Sequence, residues 1–294
     1  MPTPRAVVVH RASELTELLA RHGTRGQVAF FLDARGQSLA AVEERHERTR
    51  AALADVAAGL PADWRRAGVE RAELPRFVFE PDDVVLVVGQ DGLVANAAKY
   101  LGAQPVIGID PLPGVNAGIL VPFAPAAGAA LAEPAHAGDA PMCERTMVEV
   151  RTDDGQSLTA LNEVMIGQPG HQSARYTIEV DGAGERQSSS GVIVSTGTGA
   201  TGWCRSIARI QAPTLPLPGP TERALAWFVR EPWPSPSTGA DVVAGRLDRG
   251  ALALRVESDA LVAFGDGVEA DRLTLTWGQR VTVGVAGRTL RTVS

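Results

Sequence analysis

The run Val84 to Val88 (VVLVV) constrains this chain more tightly than any other segment. Five consecutive β-branched or leucine residues, with no polar face, fit a central parallel strand covered on both sides. The turn Gly89-Gln90-Asp91-Gly92 follows at once, and Leu93 to Leu101 (LVANAAKYL) then has helical spacing up to Gly102. Strand, glycine turn and helix open a βαβ unit, so neighbouring segments must supply further parallel strands.

Arg5 to His10 and Pro105 to Ile109 qualify as such strands, and Gln27 to Leu32 (QVAFFL) reads as one more. Ser13 is placed to cap a helix ending near His22. The Ala-rich segment Ala40 to Ala58 reads as a helix stopped by Gly59 and Pro61. This rhythm predicts a doubly wound α/β domain over residues 1–125.

Beyond it the period changes. Thr146 to Thr152, Leu158 to Ile166, Arg175 to Asp181 and Val192 to Thr196 read as strands. Alternation is clean in Leu252, Leu254 and Val256, in Leu273, Leu275 and Trp277, and in Val281, Val283 and Val285. The expectation for residues 126–294 is a β-rich, sandwich-like domain. It has one helix after Gly202, an extended Pro-rich connector from Ala212 to Pro220, and a final segment free to pack back on the first domain.

Charge and composition remove several function classes. A net charge of -6 repels nucleic acid and anionic membranes, so neither is an expected partner. The N-terminal apolar run is too short for a signal peptide. Ile119 to Ala132 is broken by Pro122, Pro125 and Gly128 and falls short of the roughly 20 apolar residues of a membrane span. Cys143 and Cys204 lack CxxC spacing and read as reduced thiols of a cytoplasmic protein. The five histidines never pair at i, i+4, which argues against a histidine-based metal site.

Four constellations can carry chemistry. In the first, Gly89 and Gly92 allow close approach of a phosphate, and the following helix start favours an anion. Asp91 among them suits a group that takes a proton from a hydroxyl or holds Mg2+; equally, it suits a simple helix cap. In the second, Asn162 and Glu163 are adjacent polar residues inside the apolar strand ALNEVMI. One of them must point where burial is unfavourable unless it is paired, or else the strand is an edge or a bulge. The third is Ser195-Thr196-Gly197-Thr198-Gly199-Ala200-Thr201-Gly202, glycines and hydroxyls between a strand and a helix. It also fits G-x-G-x-x-G, but the Pro-rich connector that follows removes the βαβ context this fingerprint needs. The fourth, Phe264-Gly265-Asp266-Gly267, has the form of a hairpin turn.

In this order and context the four pieces resemble the motifs of the NAD kinase family, most closely its mitochondrial type. Supporting segments are residues 105–123, 160–167, 189–203 and 228–232. The resemblance implies an α/β nucleotide-binding domain followed by a β-sandwich-like domain. It implies ATP-dependent phosphorylation of the adenosine 2′-hydroxyl of NAD to give NADP, with Mg2+ accompanying ATP, in a homodimer. Carried over by motif, Asp91 is the base, and Gly89 and Gly92 cradle phosphate. Asn162 and Glu163 hold the nicotinamide ribose side. Thr198, Gly199, Thr201, Gly202, Trp203 and Ser206 line the adenosine side, and Asp266 lies near the reacting ribose.

Two positions depart from the signature Gly-Gly-Asp-Gly-Thr: Gln90 replaces its second glycine and Leu93 its threonine. Ser190 and Trp203 differ from the wider family but agree with the mitochondrial type. Three readings follow: an NAD kinase, a nucleotide-binding or regulatory protein without turnover, and a kinase of another hydroxyl acceptor such as a lipid or polyol.

Overall fold

The computed structural model describes residues 3–115 and 118–294, so Asn116 and Ala117 of the 105–123 segment lie outside the described residues. The chain divides into two compact units. One comprises residues 1–143 with 291–294, the other residues 144–290.

The first unit opens with β1 (Arg5–His10), α1 (Glu14–His22), α2 (Arg25–Asp33), α3 (Leu39–Gly59) and β2 (Arg65–Glu70). It continues with β3 (Asp83–Val88), α4 (Asp91–Ala98), β4 (Pro105–Ile109), α5 (Pro125–Ala130) and α6 (Ala132–Ala137). Its strands are parallel in the order β2-β1-β3-β4, and Arg291 and Thr292 add parallel pairs to Pro105 and Val106. Every residue of β3 is buried. Val84, Leu86 and Val88 pack with Ile107, Ile109, Val56 of α3 and Ala132 and Ala135 of α6. Val85 and Val87, on the opposite face, are equally inaccessible. Covering on both faces is what makes a run without alternation fold as a strand.

Residues 27–32 do not form a strand; they lie in α2. Thr24 caps that helix by accepting a hydrogen bond from the Gln27 N–H, and Val28 and Leu32, four residues apart, share its buried stripe. Phe30, which a strand would turn to the same side as both, is 78% exposed. Ser13 caps α1 by accepting from the Thr16 N–H. β2 carries a single buried residue, Val69, so its sequence gives almost no strand signal.

In the second unit β5 (Met142–Thr152) and β6 (Ser157–Ala160) form a hairpin. They are followed by β7 (Glu163–Gly167), β8 (Ala174–Val180), β9 (Ala183–Ser189), β10 (Gly191–Ser195), α7 (Trp203–Gln211), β11 (Leu225–Arg230), β12 (Ala244–Leu247) and β13 (Ala251–Val256). β14 (Ala260–Gly265), β15 (Val268–Thr276) and β16 (Arg280–Val293) complete it. One antiparallel sheet runs β12-β11-β10-β7-β14-β15. In the other, β16, β13, β8 and β9 pair in turn, also antiparallel. Their inward residues, among them Val164, Ile166, Tyr176, Val194, Trp227, Leu254 and Val283, make one core, as in a β-sandwich.

The segment read as one strand from Leu158 to Ile166 is two, broken at Leu161-Asn162. Trp277 does not continue the inward face of Leu273 and Leu275. It sits in the β15–β16 turn and is 64% exposed. No helix among the described residues is long and apolar enough to cross a membrane. Both cysteines are unpaired thiols.

Candidate functional site

In the first unit, β3 ends at Val88 and the chain turns directly into α4. Gln90 occupies the N-cap position with an exposed side chain that makes no capping bond, and Asp91 is the first helical residue. The Asp91 carboxylate therefore does not cap its own helix. Its Oδ1 accepts the Leu120 N–H at 2.9 Å and its Oδ2 the Ile119 N–H at 3.2 Å. Each oxygen keeps lone-pair capacity for a further partner. The Gly89 N–H bonds the Ile109 carbonyl at 3.0 Å, which ties the turn to β4. Leu93 is buried against Gly89: a Cβ on Gly89 would lie 2.8 Å from Leu93 Cδ2. A Cβ on Gly92 would meet no atom within 4 Å, so the turn is open on that side.

The second unit gathers three of the four motifs around one buried hydroxyl. Thr196, just after β10, donates from Oγ1 to the Leu161 carbonyl at 2.6 Å. The same oxygen accepts the N–H groups of Thr198 and Gly199 at 3.1 and 3.3 Å. The Thr196 N–H and the Ser195 hydroxyl both donate to the Asn162 carbonyl, at 2.8 and 3.2 Å. Gly199 must be glycine, since a Cβ there would sit 2.3 Å from the Asn162 carbonyl oxygen.

Asp266 closes the cluster from the other side. It is the first residue of the two-residue turn between β14 and β15, with φ 55° followed by 68° at Gly267. Positive φ at both positions is the type I′ pattern that Asp-Gly tolerates best. Its carboxylate accepts the Leu161 N–H at 3.0 Å and the Asn162 N–H at 2.7 Å, while its own N–H bonds the Glu163 carbonyl at 3.0 Å. The break between β6 and β7 is thus held by a carboxylate more than a hundred residues away.

Glu163 begins β7, facing Ser195 in the β-ladder. Burial, reinforced by the negative charge of Asp266, pushes its carboxyl up to about 7. Thr198 is 5% exposed, and its hydroxyl is buried without a hydrogen-bond partner among the described residues. Burial also raises the Cys204 thiol, which bonds Ser195. A protonatable carboxyl on β7 and an unsatisfied buried hydroxyl just past β10 suit a ligand rich in hydroxyl and amide groups.

Of the residues singled out by motif, Asn162, Glu163, Thr198, Gly199 and Asp266 come together in this cluster. Thr201 bonds back to the Thr198 carbonyl at 3.0 Å, and Gly202 is the N-cap of α7. Trp203 and Ser206 lie on the first turns of α7; Trp203 is 39% exposed, with the Arg230 guanidinium 5.4 Å from its ring centroid. Gly89, Asp91 and Gly92 form the turn of the first unit. Thr196 was not singled out from the sequence, although it organises the cluster. Its signal is a hydroxyl at the end of a fully buried strand, which must find partners locally.

No family model matches the chain. A curated NAD kinase of Chlorobaculum tepidum is 28% identical over 141 residues, 47% of each chain, so this chain matches about half the length of that relative. A crystal structure of yeast NADH kinase complexed with NADH shares the fold at a TM-score of 0.60 and 14% identity, covering 100% of this chain and 84% of the other. The chain is thus similar over about half its length to an NAD kinase and shares the fold of an NADH kinase.

Proposed function

We propose that this protein is an NAD kinase, transferring the γ-phosphoryl of ATP to the adenosine 2′-hydroxyl of NAD to give NADP. The observation that carries this reading is the convergence of Asn162, Glu163, Thr198 and Asp266 around Thr196, in a chain whose sequence and fold are related to NAD kinases. In this reading Asn162 and the Glu163 carboxyl hold the nicotinamide ribose side of NAD, and the unsatisfied Thr198 hydroxyl serves its adenosine side. Trp203, Thr201, Gly202 and Ser206 form the exposed adenosine side. Gly89 and Gly92 admit phosphate, and Asp91, held by two N–H bonds, takes the proton of the attacking hydroxyl.

Mg2+ comes with the triphosphate. Asp91 would be the nearest carboxylate of the turn to an ion carried in with the phosphates. Neutralising the transferred group's charge is the chemistry it supplies. The reading also makes the protein a cytoplasmic homodimer; sedimentation of the purified chain tests the dimer, and cell fractionation tests the location.

The deciding experiment is NADP formation from ATP, Mg2+ and NAD, followed by coupled reduction. Turnover that disappears in Asp91→Ala supports the reading, and no product at any protein concentration overturns it. A second reading, nucleotide binding without turnover, is favoured by one feature: Leu93 buries an apolar side chain against Gly89 where the signature has a hydroxyl. It requires NAD or NADP binding by calorimetry with no product, and turnover eliminates it.

A further inference from the structure

The second unit contains a cavity of about 410 Å³ outside the motifs discussed above. The β12–β13 turn lines it on one side, Glu149 and Arg151 of β5 and Thr282 of β16 on another, and Arg223 on a third. The volume falls in the range of small-molecule sites.

The charges around it do not cancel. Its two acids are already engaged: Glu149 with Arg151 at 3.0 Å, and Asp248 with Arg246 at 2.7 Å. Arg246 also pairs with Glu222. Arg223 donates only to the Ala286 carbonyl, at 3.2 Å, and has no carboxylate partner among the described residues. Arg249, exposed in the turn, has none either. Half-buried Arg288 lies close enough to Glu149 to feel its charge and makes that acid's surroundings more positive. A chain with a net charge of -6 thus concentrates unneutralised guanidinium groups on one concave surface.

We propose that this cavity binds a small phosphate-class anion, an inorganic phosphate or a phosphomonoester, at a site separate from the nucleotide motifs. Planar guanidinium forks match phosphate oxygens in pairs, and Arg223 and Arg249 are the two whose donors remain for a ligand. A cation is excluded because both carboxylates are already paired. A large apolar ligand is excluded because charged and glycine residues dominate the lining. The inference does not depend on the kinase reading.

Calorimetric titration of the whole chain with inorganic phosphate and with glycerol phosphate, a phosphomonoester, at low ionic strength tests it and tells the two sources apart. Saturable binding is expected in the wild type. It should weaken by about tenfold or more in Arg223→Gln/Arg249→Gln, the loss expected when charge-assisted hydrogen bonds are removed. Arg249→Lys should retain part of the affinity. Arg249→Gln alone, in an exposed turn, keeps the test valid if the double variant misfolds. The absence of saturable binding overturns the proposal. So does an affinity unchanged in the arginine variants, which would put the anion at the nucleotide motifs instead.

Discussion

The two glycine turns of this protein both end a buried strand and start a helix, yet they are held by opposite means. At 89–92 the carboxylate residue, Asp91, sits in the turn and reaches outward to two N–H groups further along the chain. At 195–202 the organising residue, Thr196, faces inward, and the carboxylate that stabilises the arrangement, Asp266, comes from a distant hairpin. The first turn has an open side and an uncommitted cap side chain, while the second has no spare room at Gly199 and one unsatisfied hydroxyl at Thr198. The difference teaches that similar glycine-rich strings serve different ends: one keeps a carboxylate presentable, the other fixes backbone groups in place.

The largest expected effect separates the two in rate. Asp91→Ala should lower NADP formation by about 10²- to 10⁴-fold, the range for a lost general base. Steady-state kinetics measure it. Asp91→Asn, which retains one acceptor oxygen, should preserve more stability than rate. Equal rates in all three proteins would remove Asp91 from the chemistry.

Next comes stability. Asp266→Ala leaves the Leu161 and Asn162 N–H groups without their carboxylate and puts alanine at φ 55°. Losing hydrogen bonds to a charged group in a strained turn should lower unfolding free energy by about 3 kcal/mol. Gly199→Ala should be similarly damaging, because its Cβ meets a carbonyl oxygen that cannot swing away. Urea titration reads both. If both variants were as stable as wild type, the cluster would not be the rigid element inferred here.

These two turns also mark how far the sequence can be read. β3, the turn and α4 were legible because their determinants are contiguous: five apolar residues, then glycines, then helical spacing. Asn162 and Glu163 were conspicuous as adjacent polar residues in an apolar strand, but their partner lies at Asp266, and only strand pairing brings it near. Residues 27–32 were misread because six residues satisfy both periods, and the Thr24 cap lies just outside them. Thr196 was passed over because its signal, a hydroxyl just past a buried strand, is diluted in a string of similar hydroxyls.

A smaller effect concerns pH. Glu163 has an ordinary value of 4.5 and is raised to about 7 in the folded protein. Between these values the folded state holds a proton that the unfolded state has lost. The resulting stabilisation is fully present below pH 4.5 and is lost as pH rises through about 7. At about 1.4 kcal/mol per pH unit, the loss is about 3 kcal/mol at most. Other carboxylates shift the opposite way, so the test is the difference between wild type and Glu163→Gln in urea titrations at pH 5 and pH 8. The wild type should lose more stability between the two pH values. An identical pH dependence would mean that Glu163 ionises normally.

The smallest effect should be at Gln90. Its side chain is exposed and makes no capping bond, and its φ of -97° suits any residue. Gln90→Gly should therefore change stability by no more than about 0.5 kcal/mol, since glycine is an acceptable N-cap. Its rate effect should stay below about tenfold, because the turn is already open at Gly92 and the carboxamide does not fill that space. A larger rise in NADP formation would identify the carboxamide as an obstruction to phosphate. A larger fall would make it a donor that replaces the hydroxyl missing at Leu93. Either result would mean that the cap position matters to the chemistry as Gly199 matters to the fold, and the contrast between the two turns would narrow to where each keeps its carboxylate.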